Sequence, residues 1–519
     1  MPPKSVRHLL ESQVERQPDK EFLFTEPDRR VFSYSEFDRL VNYAARLLGS
    51  AGVKKGDRVG LFLTNRLEYL VFYFACFKTG AWAGPVNALL KSHEVEFILN
   101  DSEAMVAVTE PGLYLAIDEC SGRLASLRIV ILAGTDDLTE AERSQHRARG
   151  TVLFDHASAL ADGDTTPDDA ELSPDDEAVI IYTSGTTGKP KGVLLTHGNL
   201  TANAEQIARW LALTERDRSL MIMPLFHVNA LMTTGLAALA AGASIVLAPR
   251  FSASRHWEII ARYGVTYFGS VATMLSLLNH TYPDGVPDPL DISSLRFALC
   301  GSAPVPVEVI ERFESLFDRP VIEGYGLSES TCRSTFNPLD RRRAGSVGLP
   351  IGNEVKVFDS NDCEVGPGEI GEIVLRGPNI MKGYYRNPTA TDEAFRSGWF
   401  HTGDLGYKDA DGFFYIVDRK SDMIIRGGEN IYPREIDETL YRHPSVKDAA
   451  TVGVPDPLYG EEVKSFVVLK DGAQATREEL IEFCRAYLAD FKCPKKIEIL
   501  DEIPKGPTGK LLKRELQGK

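Results

Sequence analysis

Three observations predict an α/β protein made of a large N-terminal domain of α/β sheets, a small β-rich subdomain and a small α+β C-terminal domain. Helical and strand periodicities alternate from the first fifty residues to the helix expected after Pro304. Beyond Glu354 the pattern changes to short strands separated by Gly, Asp and Pro turns, and from Ser421 onward it becomes a compact mixture of helices and strands. At 519 residues the chain also exceeds what one hydrophobic core accommodates, so at least two domains are expected.

Phe37, Leu40, Val41, Ala44, Leu47 and Leu48 recur at helical spacing after Ser35, a candidate N-cap, with Gly49 and Gly52 just beyond. Arg58 to Leu63 reads as a strand, Leu67 to Lys78 and His93 to Leu99 as helices, and Ala104 to Thr109 as a strand. Such connections favour a largely parallel sheet. The stretch from Asp162 to Glu177, with eight acidic residues and two prolines, reads as a solvated connector. Alternation then resumes: Val179 to Ile181 and Val193 to Thr196 as strands, Asn199 to Leu213 as a helix, Ala243 to Leu247 as a strand, and Ser254 to Tyr263 as a helix. Val265 to Phe268, Ala272 to Asn279 and Leu295 to Leu299 follow as strand, helix and strand. Val355 to Phe358 and Ile370 to Leu375 belong to the β-rich part. Helices at Pro433 to Tyr441 and Arg477 to Ala489, with strands near Ala449 to Val452 and Val463 to Leu469, make the last unit.

Hydrophobic content of 43% and charged content of 25% are ordinary for a globular protein. A formal net charge of -16 argues against binding nucleic acid or an anionic membrane surface, since either needs the opposite sign. The seven cysteines, at positions 76, 120, 300, 332, 363, 484 and 493, have no CxxC spacing and an odd total. Neither a disulfide framework nor a zinc site is suggested, and a reducing cytoplasm is the expected setting. The polar N-terminus carries no signal-peptide pattern, and the longest apolar run, around Tyr69 to Phe77, is too short to span a bilayer. Gln517-Gly518-Lys519 is not a peroxisomal address.

Between the strands ending at Ile181 and starting at Val193 lies Tyr-Thr-Ser-Gly-Thr-Thr-Gly-Lys-Pro-Lys-Gly, residues 182–192. Three glycines, four Ser/Thr hydroxyls and two lysines in eleven residues suit a backbone wrapped around a polyanion, which points to phosphate. A Walker-type loop is excluded, because only Thr186 and Thr187 separate Gly185 from Gly188 and Pro190 follows Lys189. Further along come Gly301-Ser302-Ala303-Pro304 at a strand-to-helix turn and Gly324-Tyr325-Gly326-Leu327-Ser328-Glu329, which has too few glycines for a dinucleotide fingerprint. Thr402-Gly403-Asp404, then Ile416-Val417-Asp418-Arg419, Lys420 to Pro433, and Pro504-Lys505-Gly506-Pro507-Thr508-Gly509-Lys510 complete the series.

In this order the motifs resemble, over nearly the whole chain, those of the adenylate-forming superfamily of acyl-CoA synthetases, peptide-synthetase adenylation domains and luciferases. The resemblance implies that Thr183, Ser184, Gly185, Thr186, Thr187, Gly188 and Lys189 hold the ATP phosphates, Thr183 also standing near the metal. Gly301, Ser302, Ala303 and Pro304 would line the adenine and acyl side, Tyr325 would stack on adenine within the Gly324 to Ser328 turn, and Glu329 would bind Mg2+, which demands hard oxygen ligands. Ser328 stands where many relatives have Thr. Asp404 matches the ribose-binding position, where a carboxylate can accept from both hydroxyls, with Ile416 and Arg419 beside it. Lys510 matches the catalytic lysine, preferred to Lys505 and Lys513. Gly427 and Gly428 would admit a pantetheine arm. Residues 1–419 then form the adenylation domain and 420–519 a mobile C-terminal domain, with Ser421 at a hinge position that commonly holds Asp or Lys.

The implied reaction is carboxylate activation by ATP to acyl-AMP, then transfer to CoA. A free-standing adenylation enzyme loading a carrier protein is the near alternative, and a non-catalytic nucleotide-binding relative a more distant one. Pro224 to Asn229 resembles the segment that borders the carboxylate, with His227 as its gate; Val228, Asn229, Met232, Val271 and Met274 are further candidate walls. The stretch after Glu329 includes Arg333, and the acyl class is left open: with Arg333 inward a polar or bulky functionalised acid is open, and with it outward a plain medium-chain or aryl acid is equally so. The oligomeric state, up to a homodimer, is left open by the sequence.

Overall fold

The computed structural model describes residues 4–136, 138–161, 170–183, 190–302, 305–426, 429–505 and 513–517. The N-terminal α/β region resolves into two large sheets. The first has eight strands in the order Gly383–Tyr384, Lys191–Thr196, Glu177–Thr183, Trp82–Pro85, Arg58–Phe62, Val106–Thr109, Ile129–Leu132 and Val152–Leu153. From Glu177–Thr183 to the far edge the pairings are parallel, as the alternation predicts. The second has nine strands, its central ones running parallel from Val321–Tyr325 through Phe297–Gly301, Tyr267–Ser270, Arg218–Met221 and Ser244–Leu247 to Glu21–Thr25.

Helices fill the space between the sheets. Leu67–Thr79 is apolar all round, and every residue from Leu67 to Lys78 is buried, which a helix needs when both its faces are covered. Its Tyr69 hydroxyl donates to Leu61 O beside the first sheet, and its Tyr73 hydroxyl to Leu225 O just beyond a strand of the second. Asn65 adds a further stitch: its Nδ2 donates to Met223 O, and its Oδ1 accepts from Leu225 N at 2.8 Å. The segment leading to His227 is thereby fixed against the C-terminal ends of strands, where open α/β sheets place their ligand crevices.

The helix before Leu67–Thr79 in the chain starts earlier than the sequence suggests. Tyr34–Ser50 is capped by Ser33, whose hydroxyl accepts from Glu36 N while Glu36 accepts from Ser33 N, a reciprocal arrangement unavailable to Ser35. Gly49 lies inside its last turn rather than beyond it.

A third sheet contains Glu354–Phe358, Gly371–Arg376, Trp399–Lys408, Phe395–Arg396 and Phe414–Arg419, all antiparallel. The last part has its own core, from Ile424 to Ile497, around the strands Ile424–Arg426, Val446–Asp456 and Gly460–Leu469 and the helices Pro433–Tyr441 and Arg477–Tyr487. All seven cysteines are free and six are buried. Among the described residues no helix is long and apolar enough to cross a membrane, and no His, Cys, Asp and Glu cluster could hold a metal by itself.

Candidate active site

The phosphate-loop candidate is mounted on an antiparallel hairpin, a local exception in its parallel sheet. Glu177–Thr183 pairs with Lys191–Thr196, and Thr183 stands opposite Lys191, so the ends of the intervening segment are held in one ladder. On its other side Lys191–Thr196 pairs with Gly383–Tyr384, Tyr384 opposite Val193. The Tyr384 hydroxyl donates to Glu329 Oε1 at 3.1 Å, and Lys191 Nζ lies 5.2 Å from the centre of the Tyr384 ring. Burial, then the Glu329 charge, raises the Tyr384 phenol, so it stays a donor at neutral pH. The metal-ligand candidate and the phosphate hairpin are thus joined through one tyrosine that sequence reasoning missed. Met381 N also donates to Glu329 O at 2.8 Å.

A second cluster gathers residues from three motifs. Tyr325 ends the strand Val321–Tyr325, and its hydroxyl donates to Asp404 Oδ2 at 2.6 Å. Arg419 Nε pairs with Asp404 Oδ1 at 2.8 Å, the two residues facing each other in the ladder between Trp399–Lys408 and Phe414–Arg419. The Asp404 charge raises the Arg419 guanidinium, and burial, then Asp404, raises the Tyr325 phenol. Asp404 is held further by its backbone N–H, which donates to Thr402 Oγ1, while Gly403, at φ +71°, turns the chain and donates to Glu372. Among the described residues each Asp404 oxygen has one protein partner, and a carboxylate offers about four lone-pair sites, so two remain for a pair of hydroxyls.

The third cluster centres on Asn229. Its Nδ2 donates to Ser302 Oγ at 3.0 Å, and its Oδ1 accepts from Thr233 Oγ1 at 3.0 Å and from Arg333 Nη2 at 3.4 Å. Ser302 sits in the left-handed region at φ +69°, an uncommon backbone for a residue with a side chain. Arg333 is buried rather than solvent-facing. Asn203 fixes its backbone, accepting from Arg333 N at 3.1 Å and donating to Arg333 O at 2.7 Å. Its Nη1 donates to Gly324 O at 2.9 Å. Gly301 must be glycine here, because an added Cβ would lie 2.4 Å from Arg333 Nη1 and 2.5 Å from Gly324 O. Gly326 is likewise required, its Cβ position lying 2.0 Å from Cys332 O.

His227 precedes this cluster. Burial pulls its imidazole down to about 4, leaving it neutral at physiological pH, and among the described residues its Nε2 has no partner. Val228, Asn229, Met232, Val271 and Met274 are each buried. Leu327 and Ser328 are half-buried in the turn before Glu329, where Leu327 N donates to Ser330 Oγ.

At the proposed hinge, Lys420 N donates to Gly403 O, and Asp422 N and Met423 N both donate to Arg419 O, so the chain turns immediately after Arg419. Ser421 is exposed, its hydroxyl donating to Asp422. Beyond it, Arg434 N donates to Asp418 Oδ2 at 2.8 Å and Arg434 Nη1 to Ile416 O at 2.6 Å. The helix Pro433–Tyr441 therefore takes its first acceptor from the preceding sheet. Lys505 pairs with Asp448, and Lys513 with Asp437 at 3.2 Å. Both alternatives to Lys510 are thus engaged by carboxylates of the C-terminal unit. Ser184, Gly185, Thr186, Thr187, Gly188, Lys189, Ala303, Pro304, Gly427, Gly428 and Lys510 lie outside the described residues.

Comparisons with known proteins find relatives along nearly the whole chain. A family profile described as "AMP-binding enzyme" matches residues 10–385, and one described as "AMP-binding enzyme C-terminal domain" matches residues 435–510. The chain is 37% identical to a sulfoacetate–CoA ligase of Cupriavidus necator, over 98% of this chain and 96% of that protein. It is 36% identical to a long-chain-fatty-acid–CoA ligase of Bacillus subtilis, over 99% and 94% respectively. A crystal structure of ATP-bound MatB from Rhodopseudomonas palustris superposes with a TM-score of 0.89 at 28% identity, covering 100% of this chain and 99% of that one.

Proposed function

Since the chain belongs to the AMP-binding, adenylate-forming enzymes and is an ATP-dependent, AMP-forming acyl-CoA ligase using Mg2+ and CoA, we propose how its own residues divide the work. Thr183 and the 184–189 segment hold the β- and γ-phosphates. Glu329 presents the hard carboxylate oxygen that Mg2+ requires, and the bound ion would offset phosphate charge there. Tyr325 packs on adenine while its hydroxyl orients Asp404, whose remaining lone pairs accept from the ribose hydroxyls. Arg419 pairs with that carboxylate and holds it stationary.

The acid's carboxylate lies beside His227, whose neutral imidazole borders it without an opposing charge. A carboxylate oxygen attacks the α-phosphorus and pyrophosphate leaves. Lys510 stabilises the charge developing between carboxylate and α-phosphate, an electrostatic contribution of a kind worth ~10² to ~10³ in rate. Residues 420–519 then rotate about Ser421 relative to 1–419, and Gly427 and Gly428 admit the pantetheine arm. The thiol sulfur, having given up its proton, attacks the acyl carbon and AMP leaves. Free CoA is the acceptor, the setting is cytoplasmic, and a homodimer is the assembly to test by light scattering.

The observation that best supports this assignment is the Tyr384 link from Glu329 to the hairpin, because it couples two motifs about 140 residues apart in one site. A panel of carboxylic acids, read by pyrophosphate release and by acyl-CoA formation with and without CoA, tests it. Pyrophosphate release with no thioester across the panel would move the acceptor from CoA to a carrier protein.

A further inference from the structure

Beside the proposed acyl pocket lies a buried cation that no carboxylate neutralises among the described residues. Arg333 is 2% exposed. A guanidinium keeps its charge even when buried, yet among the described residues no carboxylate oxygen lies within 4.0 Å of it. Its hydrogen bonds go to neutral acceptors, Gly324 O and, at the long distance of 3.4 Å, Asn229 Oδ1, while Nε has no partner. The Phe336 ring, centred 5.3 Å from the guanidinium carbon, adds only a weak attraction. Glu323, on the neighbouring strand, feels the Arg333 charge but is itself 4% exposed. Burial pushes its carboxyl up to about 8, so it is mostly protonated at neutral pH. A buried charge in such surroundings is strongly unfavourable unless something else supplies the counter-ion.

Nε is unpartnered among the described residues and Nη2 makes only the long bond to Asn229. Nε and Nη2 together form the two-donor side of a guanidinium, the side that grips a carboxylate with both oxygens. Gly301 leaves the space that the guanidinium occupies. Asn229 ties this edge to Ser302, and His227 is two residues before Asn229, a separation of at most ~7 Å along the chain.

We propose that Arg333 is a specificity-determining residue that pairs with a second anionic group on a short acyl substrate, so that the preferred acids are dicarboxylates or similarly doubly charged acids rather than fatty or simple aryl acids. The proposal rests on the pocket assignment above. A monoacid of equal length would leave the guanidinium buried and unpaired, and sites built to bind a polar group discriminate strongly against analogues lacking it.

The test is kcat/KM by pyrophosphate release for malonate, succinate and glutarate against acetate, propionate, butyrate, octanoate and benzoate, in wild type, Arg333→Met and Arg333→Lys. A matched ω-sulfonate separates carboxylate from sulfonate recognition. In wild type at least one doubly charged acid exceeds its monoacid counterpart by ~100-fold or more. In Arg333→Met that ratio falls towards one while monoacid rates hold or rise, and Arg333→Lys is intermediate. The proposal is overturned if wild type uses a monoacid as well as every doubly charged acid, or if Arg333→Met slows all acids alike. The wild-type comparison decides the matter alone should Arg333→Met fail to fold. Efficient monoacid turnover to acyl-CoA would sink this inference and leave the ligase assignment standing, whereas pyrophosphate without thioester would sink only the choice of acceptor.

Discussion

Arg419 and Arg333 sit in neighbouring parts of one site, yet their surroundings differ in kind. Arg419 is 40% exposed at its side chain and pairs with a carboxylate that is 5% exposed, at 2.8 Å and in strand register. Arg333 is enclosed among backbone carbonyls, an amide and an aromatic ring, with its carboxyl neighbour pushed towards the neutral form. The first arrangement is complete without a ligand, so Arg419 holds Asp404 ready for ribose. The second lacks its counter-ion, so its stability depends on what enters the pocket. A charge that orients a partner and a charge that selects one are distinguished here by whether the chain itself supplies the opposite sign.

The largest effect concerns the third cation, which the C-terminal unit is proposed to deliver. Lys510→Ala is expected to slow adenylate formation by ~10²-fold or more, while thioester formation from supplied acyl adenylate survives; equal loss of both half-reactions would show that the lysine has another role. Asp404→Asn makes Arg419 resemble Arg333 by removing its counter-ion. It should raise the KM for ATP by ~10- to 100-fold, the range for losing charge-assisted hydrogen bonds of ~1.5–3 kcal/mol, with a smaller change in KM for the acid. A change in acid KM alone would separate Asp404 from the nucleotide. Tyr384→Phe leaves Glu329 without its hydroxyl donor and should cost about 1 kcal/mol, seen as a roughly five-fold higher Mg2+ requirement in the pyrophosphate assay; an unchanged Mg2+ titration would break the link between hairpin and metal.

The smallest effect tests the comparison itself. The folded carboxyl of Glu323 titrates near 8 and the unfolded one near 4.5. The unfolded state therefore sheds its proton first, and Glu323 destabilises the fold increasingly as pH rises from about 4.5 to 8. Urea unfolding of Glu323→Gln should then shift in the variant's favour, relative to wild type, by ~1 kcal/mol or more between pH 5 and pH 8. A variant equally destabilised at both pH values would mean that Glu323 is ionised and that Arg333 has its counter-ion after all.

Much of this was legible in the sequence, for identifiable reasons. Alternating periodicities located elements such as Arg58–Phe62, Leu67–Thr79 and Ala253–Tyr263 to within a few positions, because burial on a sheet or a helix face leaves a local signature, whereas Val6–Arg16, Glu21–Thr25, Trp82–Pro85, Ile129–Leu132, Glu140–Ala148 and Arg218–Met221 were not singled out. Their division into two sheets was not visible. Pairings such as Leu23 with Ile245 join segments more than 200 residues apart and leave no mark on either one. The motif residues that meet at Asp404 were readable as contiguous turns. Tyr384 and Asn203 were not, and the link from Asp418 to Arg434 was not, since each depends on contact with a remote segment. The direction of Arg333 was unreadable for the same reason. Most arginines are exposed, and what turns this one inward is a gap left by Gly301 and an amide from residue 203.

Asp418 gives the proposed rotation a mechanical character. The helix Pro433–Tyr441 begins on an acceptor that belongs to the other side of the hinge, and Arg434 grips Ile416 O across the same boundary. A swing about Ser421 that carried this helix away would break both bonds in one movement and leave Asp418 with its Arg419 N donor alone. Such a hinge would work as a latch rather than a free swivel, since leaving this orientation costs the two bonds together.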